Sequence, residues 1–391
     1  MGKKAALIIG LILLLLAAYW AADYFAWFKN SAPIEQTKLP ISDELKTNEP
    51  ITSDYALEEF ASGFFVPWSL VFTSPDRLLV AERSGAIRVI ENKSLLKEPL
   101  ASFKVSTQSE EGLMGLAIAP NYGQTKDVYA CLAYENPRGE MKDKVIVFDG
   151  ESGKEKSIVI DNLPAAQYHA GCRLLIVENY LFITVGDATD RNIAQDKNSL
   201  GGKILRLNLD GSIPSDNLFP DSAVWTLGHR NPQGLAWDSE RKILWSSEHG
   251  PSIFDGPAGG DEINLIEKGK NYGWPIVSHD KSKAGLENPI IQFTPAVAPG
   301  SLMYYSGDAL PFFRGNLFFG GLKGEGLYRL ILQENIRQKP RLEKIPKVNF
   351  GRIRDVIQGP DGFIYFTTSN RDGRGTVRAN DDKIYRLVPK Y

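Results

Sequence analysis

Only two cysteines, Cys131 and Cys172, occur in the 391 residues. That is too few for a disulfide framework or a cysteine-rich zinc site. Both lie in apolar, strand-like stretches, so they are expected to be buried free thiols rather than a bridge. An excess of charge of either sign is also lacking. The formal net charge is −2, which gives no global argument for nucleic acid or an anionic membrane surface as a partner. No dinucleotide fingerprint, Walker loop, zinc-ligand spacing or nucleophile elbow is present, and this disfavours the commonest enzyme classes. Beyond about residue 60 no long helical pattern occurs. Glycine (36), proline (23) and aromatic residues are plentiful, as in a turn-rich β protein.

The one long hydrophobic run is Ala5–Ala22 (AALIIGLILLLLAAYWAA), preceded by Lys3 and Lys4 and ended by Asp23. About 18 apolar residues is near the minimum for a membrane-spanning helix. Tyr19 and Trp20 crowd the position where a signal peptide would be cut, and no cysteine is available for a lipid anchor. The run therefore reads as an uncleaved signal-anchor, with a cleaved signal peptide and secretion as the second reading. The two lysines keep the N-terminus cytoplasmic and place the rest on the periplasmic or extracellular side of the cell membrane. Residues 1–28 are assigned to this single-pass segment, 29–55 to a polar, proline-dotted linker, and 56–391 to the folded part.

From about residue 60 the chain repeats one pattern six times: an apolar strand, a polar turn, a second strand, a short connection and a third strand. The second strands are the clearest: LLVAER, VYACLAY, LFITVGD, ILWSSEHG, NLFFGGLK and FIYFTTSN. Turns rich in Asp, Asn, Gly or Pro precede them, such as SPDR and GPDG. A period of roughly 45 to 75 residues marks a radial β-repeat. The fold class is all-β, a six-bladed β-propeller, with ALEEFASG (56–63) available as an outer strand to close the ring. A β-sandwich with many insertions is the competing architecture.

In a propeller the inner strands of all blades run the same way, so the residues leading into them share one face. The ends of the antiparallel second strands return to that face. This rule gathers Glu110, Glu111, His169, His229, Arg230, Asn231, Pro299, Arg352 and Arg354 from the lead-ins. From the second-strand ends it gathers Arg83, Asp187, Glu248, His249, Gly250, Pro251, Lys323 and Asn370. Three of the four histidines are in this set. Several cations converging on one funnel in a net-acidic protein imply an anionic ligand, a polycarboxylate or phosphate. Pairing with Asp187, Glu110 and Glu248 would account for one or two of them. The segment GHRNPQG (228–234) stands out, because a simple turn has no need of a guanidinium and two amides.

Nine motifs in order resemble the soluble glucose/sorbosone dehydrogenase family: EEGLMGLAIAP, HAGCRLLI, LFITVGDAT, GGKILRLNLDGSIP, GHRNPQGLAWD, EHGP, GGDEINLIEKGKNYGWP, APGSLMYYSGD and RIRDVIQGPDG. The resemblance runs from about Phe65 to the C-terminus. It implies a six-bladed propeller carrying pyrroloquinoline quinone (PQQ) and Ca2+. His169 then matches the general base that takes the proton from a sugar's anomeric hydroxyl, and Arg230 the cation that stabilises a developing oxyanion. Asn231 and Gln233 help place cofactor and substrate, as Glu110 does for the substrate. Lys323, Arg352 and Arg354 match the residues that meet the cofactor carboxylates, and Asp187 the acid that orients them. Carbonyls of Gly250 and Pro251 match a calcium site, and Glu262 with Tyr272 a second, structural one. Three departures bear on substrate range and metal geometry. About five extra residues (within SIFDGPAGGD) follow EHGP, Tyr168 stands where some glucose-oxidising members have Asp, and Cys172 replaces a small residue.

The function expected from the sequence is a membrane-tethered, PQQ-dependent aldose dehydrogenase that makes lactones and passes electrons to a membrane quinone or cytochrome. No nucleic-acid partner is expected. The other readings are a calcium-dependent lactonase-type hydrolase, which needs a carboxylate-and-Asn cage that this cationic mouth does not suggest, and an extracytoplasmic binding propeller without cofactor.

Overall fold

Each of the six second strands is buried along almost its whole length; Leu181–Val185, for example, shows no outward-facing residue. A strand covered on both faces belongs between packed sheets, which explains why the sequence reads there as apolar runs rather than clean alternation. The computed structural model describes residues 54–219 and 221–390. The expected anchor (1–28) and nearly all of the linker (29–55) lie outside the described residues. Among the described residues no helix is long and apolar enough to cross a membrane.

Six antiparallel sheets form the blades. Their inner strands are Pro67–Ser74, Leu113–Ile118, Gly171–Val177, Pro232–Asp238, Pro299–Tyr305 and Ile353–Gln358, here blades 1 to 6. Each inner strand packs against those of the two neighbouring blades, and blade 6 returns to blade 1. The ring is a six-bladed β-propeller, and the sandwich alternative is set aside. Tyr55–Ser62 pairs antiparallel with Lys383–Pro389 as the outermost strand of blade 6, so a strand from the front of the domain completes the last blade, as expected from ALEEFASG.

Every inner strand slips register against its neighbour within its first few residues: Pro67/Ser69, Leu113/Leu116, Gly171/Leu174, Pro232/Gly234, Pro299/Leu302 and Ile353/Val356. An extra residue in a ladder re-aims side chains. Here it turns Trp68, Met114, Gln233 and Arg354 toward one central cavity.

The cysteines correct the sequence reading. Cys131, in the second strand of blade 2, and Cys172, at the start of the inner strand of blade 3, form a disulfide with Cα atoms 6.2 Å apart. The two strands face each other across the interblade core, where both residues are fully buried. Their local sequences are apolar in either case, and only the packing of one blade on the next brings the sulfurs together.

Candidate active site

The bulged strand starts surround a cavity of ≈ 320 Å³. Trp68 and Met114 supply apolar wall, while Glu110, Gln233, His249, Lys323, Arg352, Arg354 and Arg374 supply polar groups. Five cations, Arg83, Lys323, Arg352, Arg354 and Arg374, meet two carboxylates here, Glu110 and Asp372. Asp372 Oδ2 lies 2.7 Å from Arg352 Nη2 and 3.2 Å from Arg354 Nη2. Arg352 Nη1 also donates to the Leu322 carbonyl at 2.7 Å, and Glu110 pairs with Arg374 at 2.7 Å. The positive excess is felt. Burial pushes Arg354 down to about 10, and Arg352 and Arg83 add to this against the pull of Asp372. Burial opposes ionisation of Glu110, yet Arg374, His249 and His169 hold its carboxyl below the usual range.

His169 stands beside this wall rather than on it; the next residues, Ala170 and Gly171, line the cavity. Its Nδ1 lies 2.6 Å from Asp187 Oδ1. The other Asp187 oxygen accepts from Trp274 Nε1 at 2.8 Å, and Thr189 N donates to Oδ1 at 2.9 Å. A buried carboxylate so fixed makes Nδ1 the protonated nitrogen and leaves Nε2 as the free acceptor. The backbone is arranged for this. His169 has φ +58°, and Gly186 lies beneath it so closely that a Cβ would sit 1.8 Å from the His169 carbonyl oxygen. The His169 N–H donates to Glu110 Oε2 at 3.2 Å, which ties this imidazole to the cavity wall.

The GHRNPQG segment divides its work. His229 is fully buried, with Nδ1 2.9 Å from Glu248 Oε2 and Nε2 2.9 Å from Thr226 Oγ1, and it stacks on Tyr272 at 4.7 Å. It holds the loop. Arg230 lies 2.7 Å from Asp255 and over the Trp274 ring at 5.6 Å. Asn231 is buried and accepts from Gln233 Nε2 at 2.9 Å; of these two, Gln233 reaches the cavity.

A second, tight pocket of ≈ 10 Å³ is lined by Arg230, Glu248, His249, Gly250, Pro251, Glu262, Tyr272 and Trp274. Gly250 with Pro251 and Glu262 with Tyr272, expected at two separate calcium positions, instead line this one pocket, because the Glu248–Glu262 strand pairing folds both segments against each other; His249 borders both pockets. Its space suits about one water-sized occupant. Glu262 is pushed up to about 8, first by burial and then by Glu248 across the ladder, despite a 3.0 Å bond from Asn264. A dication here would relieve both effects, so the donor set fits a hard, oxygen-seeking ion. Tyr272 can offer only its carbonyl, because its hydroxyl donates to the Leu265 carbonyl at 2.6 Å and accepts from Glu267 N.

The sequence reading missed Arg374, Asp372, Asp255 and Trp274, and gave His249 no role. Arg374 and Asp372 follow the last second strand within a run of arginines, the one signal that could have flagged them.

The pattern of the Glucose / Sorbosone dehydrogenase family matches residues 64–384. The chain belongs to that family. Among its relatives, the aldose sugar dehydrogenase YliI of Escherichia coli is 32% identical over 78% of this chain and 88% of its own. Quinoprotein glucose dehydrogenase B of Acinetobacter calcoaceticus is 34% identical over 45% of this chain and 42% of its own. The PQQ-bound aldose sugar dehydrogenase of Streptomyces coelicolor superposes with a TM-score of 0.75 at 30% identity, covering 86% of this chain and 98% of that one.

Proposed function

We propose that the chain is a PQQ- and Ca2+-dependent aldose dehydrogenase that oxidises the anomeric carbon of a sugar to the lactone. The observation that carries this reading is the pairing of a net-cationic cavity with an Asp187-oriented His169 at its rim. Lys323, Arg352, Arg354 and Arg374 would hold the cofactor carboxylates by charge-assisted bonds, and Gln233 would fix its orientation. The tight pocket, through Gly250, Pro251 and Glu262, would hold Ca2+. When bound, PQQ supplies a two-electron hydride acceptor and Ca2+ a Lewis acid beside it. His169 Nε2 takes the anomeric hydroxyl proton, while Asp187 keeps the imidazole in the right tautomer and steadies the imidazolium. Arg230 supplies positive charge where oxygen becomes negative, and Asn231 holds Gln233 in place. The same cationic mouth counts against a carboxylate-caged lactonase.

Further parts of the proposal are attachment through residues 5–22, an extracytoplasmic propeller, and a membrane quinone or cytochrome as electron acceptor. These rest on the hydrophobic run and its flanking lysines. Reconstituting the purified protein with PQQ and Ca2+ and assaying dye reduction with a panel of aldoses tests the chemistry. Dye reduction that requires both additions is expected. No PQQ binding, or binding without reduction by any aldose, would overturn it.

A further inference from the structure

The stretch of extra residues after EHGP places a carboxylate on Arg230, which borders the tight pocket. Asp255 Oδ2 accepts from Arg230 Nε at 2.7 Å, with the two side chains only 16% and 5% exposed. The other oxygen, Oδ1, is pinned by Ser252 N at 2.7 Å and Ser252 Oγ at 3.1 Å. Asp255 is thus a fixed part of a turn, whose base is closed by Gly256 N and Gly259 N donating to the Ser252 and Pro251 carbonyls. The tip is otherwise unsupported, for Ile253 and Phe254 are 77% and 91% exposed. On the opposite edge Arg230 Nη1 donates to the His249 carbonyl at 3.3 Å. Its Nη2 has no hydrogen-bond acceptor among the described residues.

We infer that Asp255 is a positioning residue for Arg230: it fixes the guanidinium at Nε, leaves Nη2 without an acceptor among the described residues and so open to a ligand, and offsets part of its charge. The inference rests on the role proposed above for Arg230. An unrestrained arginine beside a cluster of cations would be spent on the resting anion of the cofactor, whereas an interaction realised only as charge develops accelerates the reaction. A guanidinium locked on one edge is also preorganised, and small misplacements of such groups are costly. In this chain the inserted turn, rather than the strand scaffold, sets the aim of Arg230.

The test uses Asp255→Asn, Asp255→Glu and Arg230→Ala in the full chain, with the double variant Asp255→Asn/Arg230→Ala. In protein without cofactor, thermal unfolding of the double-variant cycle should be non-additive; additive effects would overturn the inference whatever the enzyme's function. PQQ affinity, read by quenching of tryptophan fluorescence, should stay equal or tighten in Asp255→Asn. Single-turnover reduction by an aldose should slow by roughly tenfold to 10²-fold, with partial recovery in Asp255→Glu. That slowing should vanish in the Arg230→Ala background. Wild-type turnover in Asp255→Asn, parallel loss of affinity and turnover, or an undiminished effect without Arg230 would each overturn it. A wild-type chain that binds no PQQ would instead sink the functional reading and leave the unfolding cycle to decide the Arg230–Asp255 coupling.

Discussion

At the scale of single residues, ionisable groups are placed by a simple rule, and their effects can be measured. His169 and Arg230 were legible because lead-ins to inner strands share a face. His169→Ala should slow single-turnover reduction of bound cofactor by roughly 10²–10⁴ while leaving cofactor affinity intact, since a general base contributes about that much. Alanine at Lys323, Arg352 and Arg354 together should do the reverse and weaken PQQ in equilibrium titration, at roughly 1.5–3 kcal/mol for each charged bond lost. Asp372 and Arg374 left only the faint signal of arginines just past a second strand, and Asp255 left none, because its loop reaches the site by a path that no strand periodicity encodes. A pH effect follows from Glu111, buried behind Glu110, whose carboxyl is pushed up to about 7 by burial, against a bond from Ser106. Asp143 is also raised, by burial and by Glu111, and its two oxygens have no hydrogen-bond partner among the described residues. A folded-state pKa above the unfolded one means full stability below pH of about 4.5 and progressive loss from there through about 7. Glu111→Gln should flatten that part of the stability–pH curve in denaturant titrations. An unchanged slope would assign it to other groups.

Strands were the easiest elements to read, for a blade covered on both faces writes itself as apolar runs broken by turn residues. The bulges opening each inner strand were not legible. One extra residue in a ladder leaves no mark on composition, yet it decides whether Trp68 and Arg354 face the cavity. One bulged element also carries the floor of the site. Arg173 of blade 3 donates to Asp355 of blade 6 at 3.0 Å and to the Gln233 carbonyl at 3.1 Å, with its guanidinium 4.2 Å from the Trp68 ring. Both side chains are buried. Asp355→Ala leaves an uncompensated cation there and should cost about 3–5 kcal/mol of stability. Replacing both partners by apolar residues should recover most of that loss in thermal unfolding. If the double variant is no better than the single, packing rather than charge is what the pair contributes.

For the whole molecule, the architecture was readable and its cross-links were not. The six-fold repeat announces a ring, but nothing in the local sequence pairs Cys131 with Cys172. Their bridge ties blade 2 to blade 3 across 41 residues. Changing both cysteines to serine should lower stability by about 2–4 kcal/mol by the loop-closure argument, and chemical denaturation against the oxidised wild type would measure it. The closure of blade 6 works at longer range. Tyr55–Ser62 waits for Lys383–Pro389, and Glu58 meets Arg386 across 328 positions of chain. During synthesis the sixth blade therefore cannot be finished until Lys383–Pro389 has left the ribosome. Until then the growing chain carries an unpaired strand at its front and a partly built ring behind it, both templates for mispairing with a neighbouring chain. The architecture that spares the folded ring an open edge leaves its most exposed stage between the synthesis of Tyr55–Ser62 and that of Lys383–Pro389.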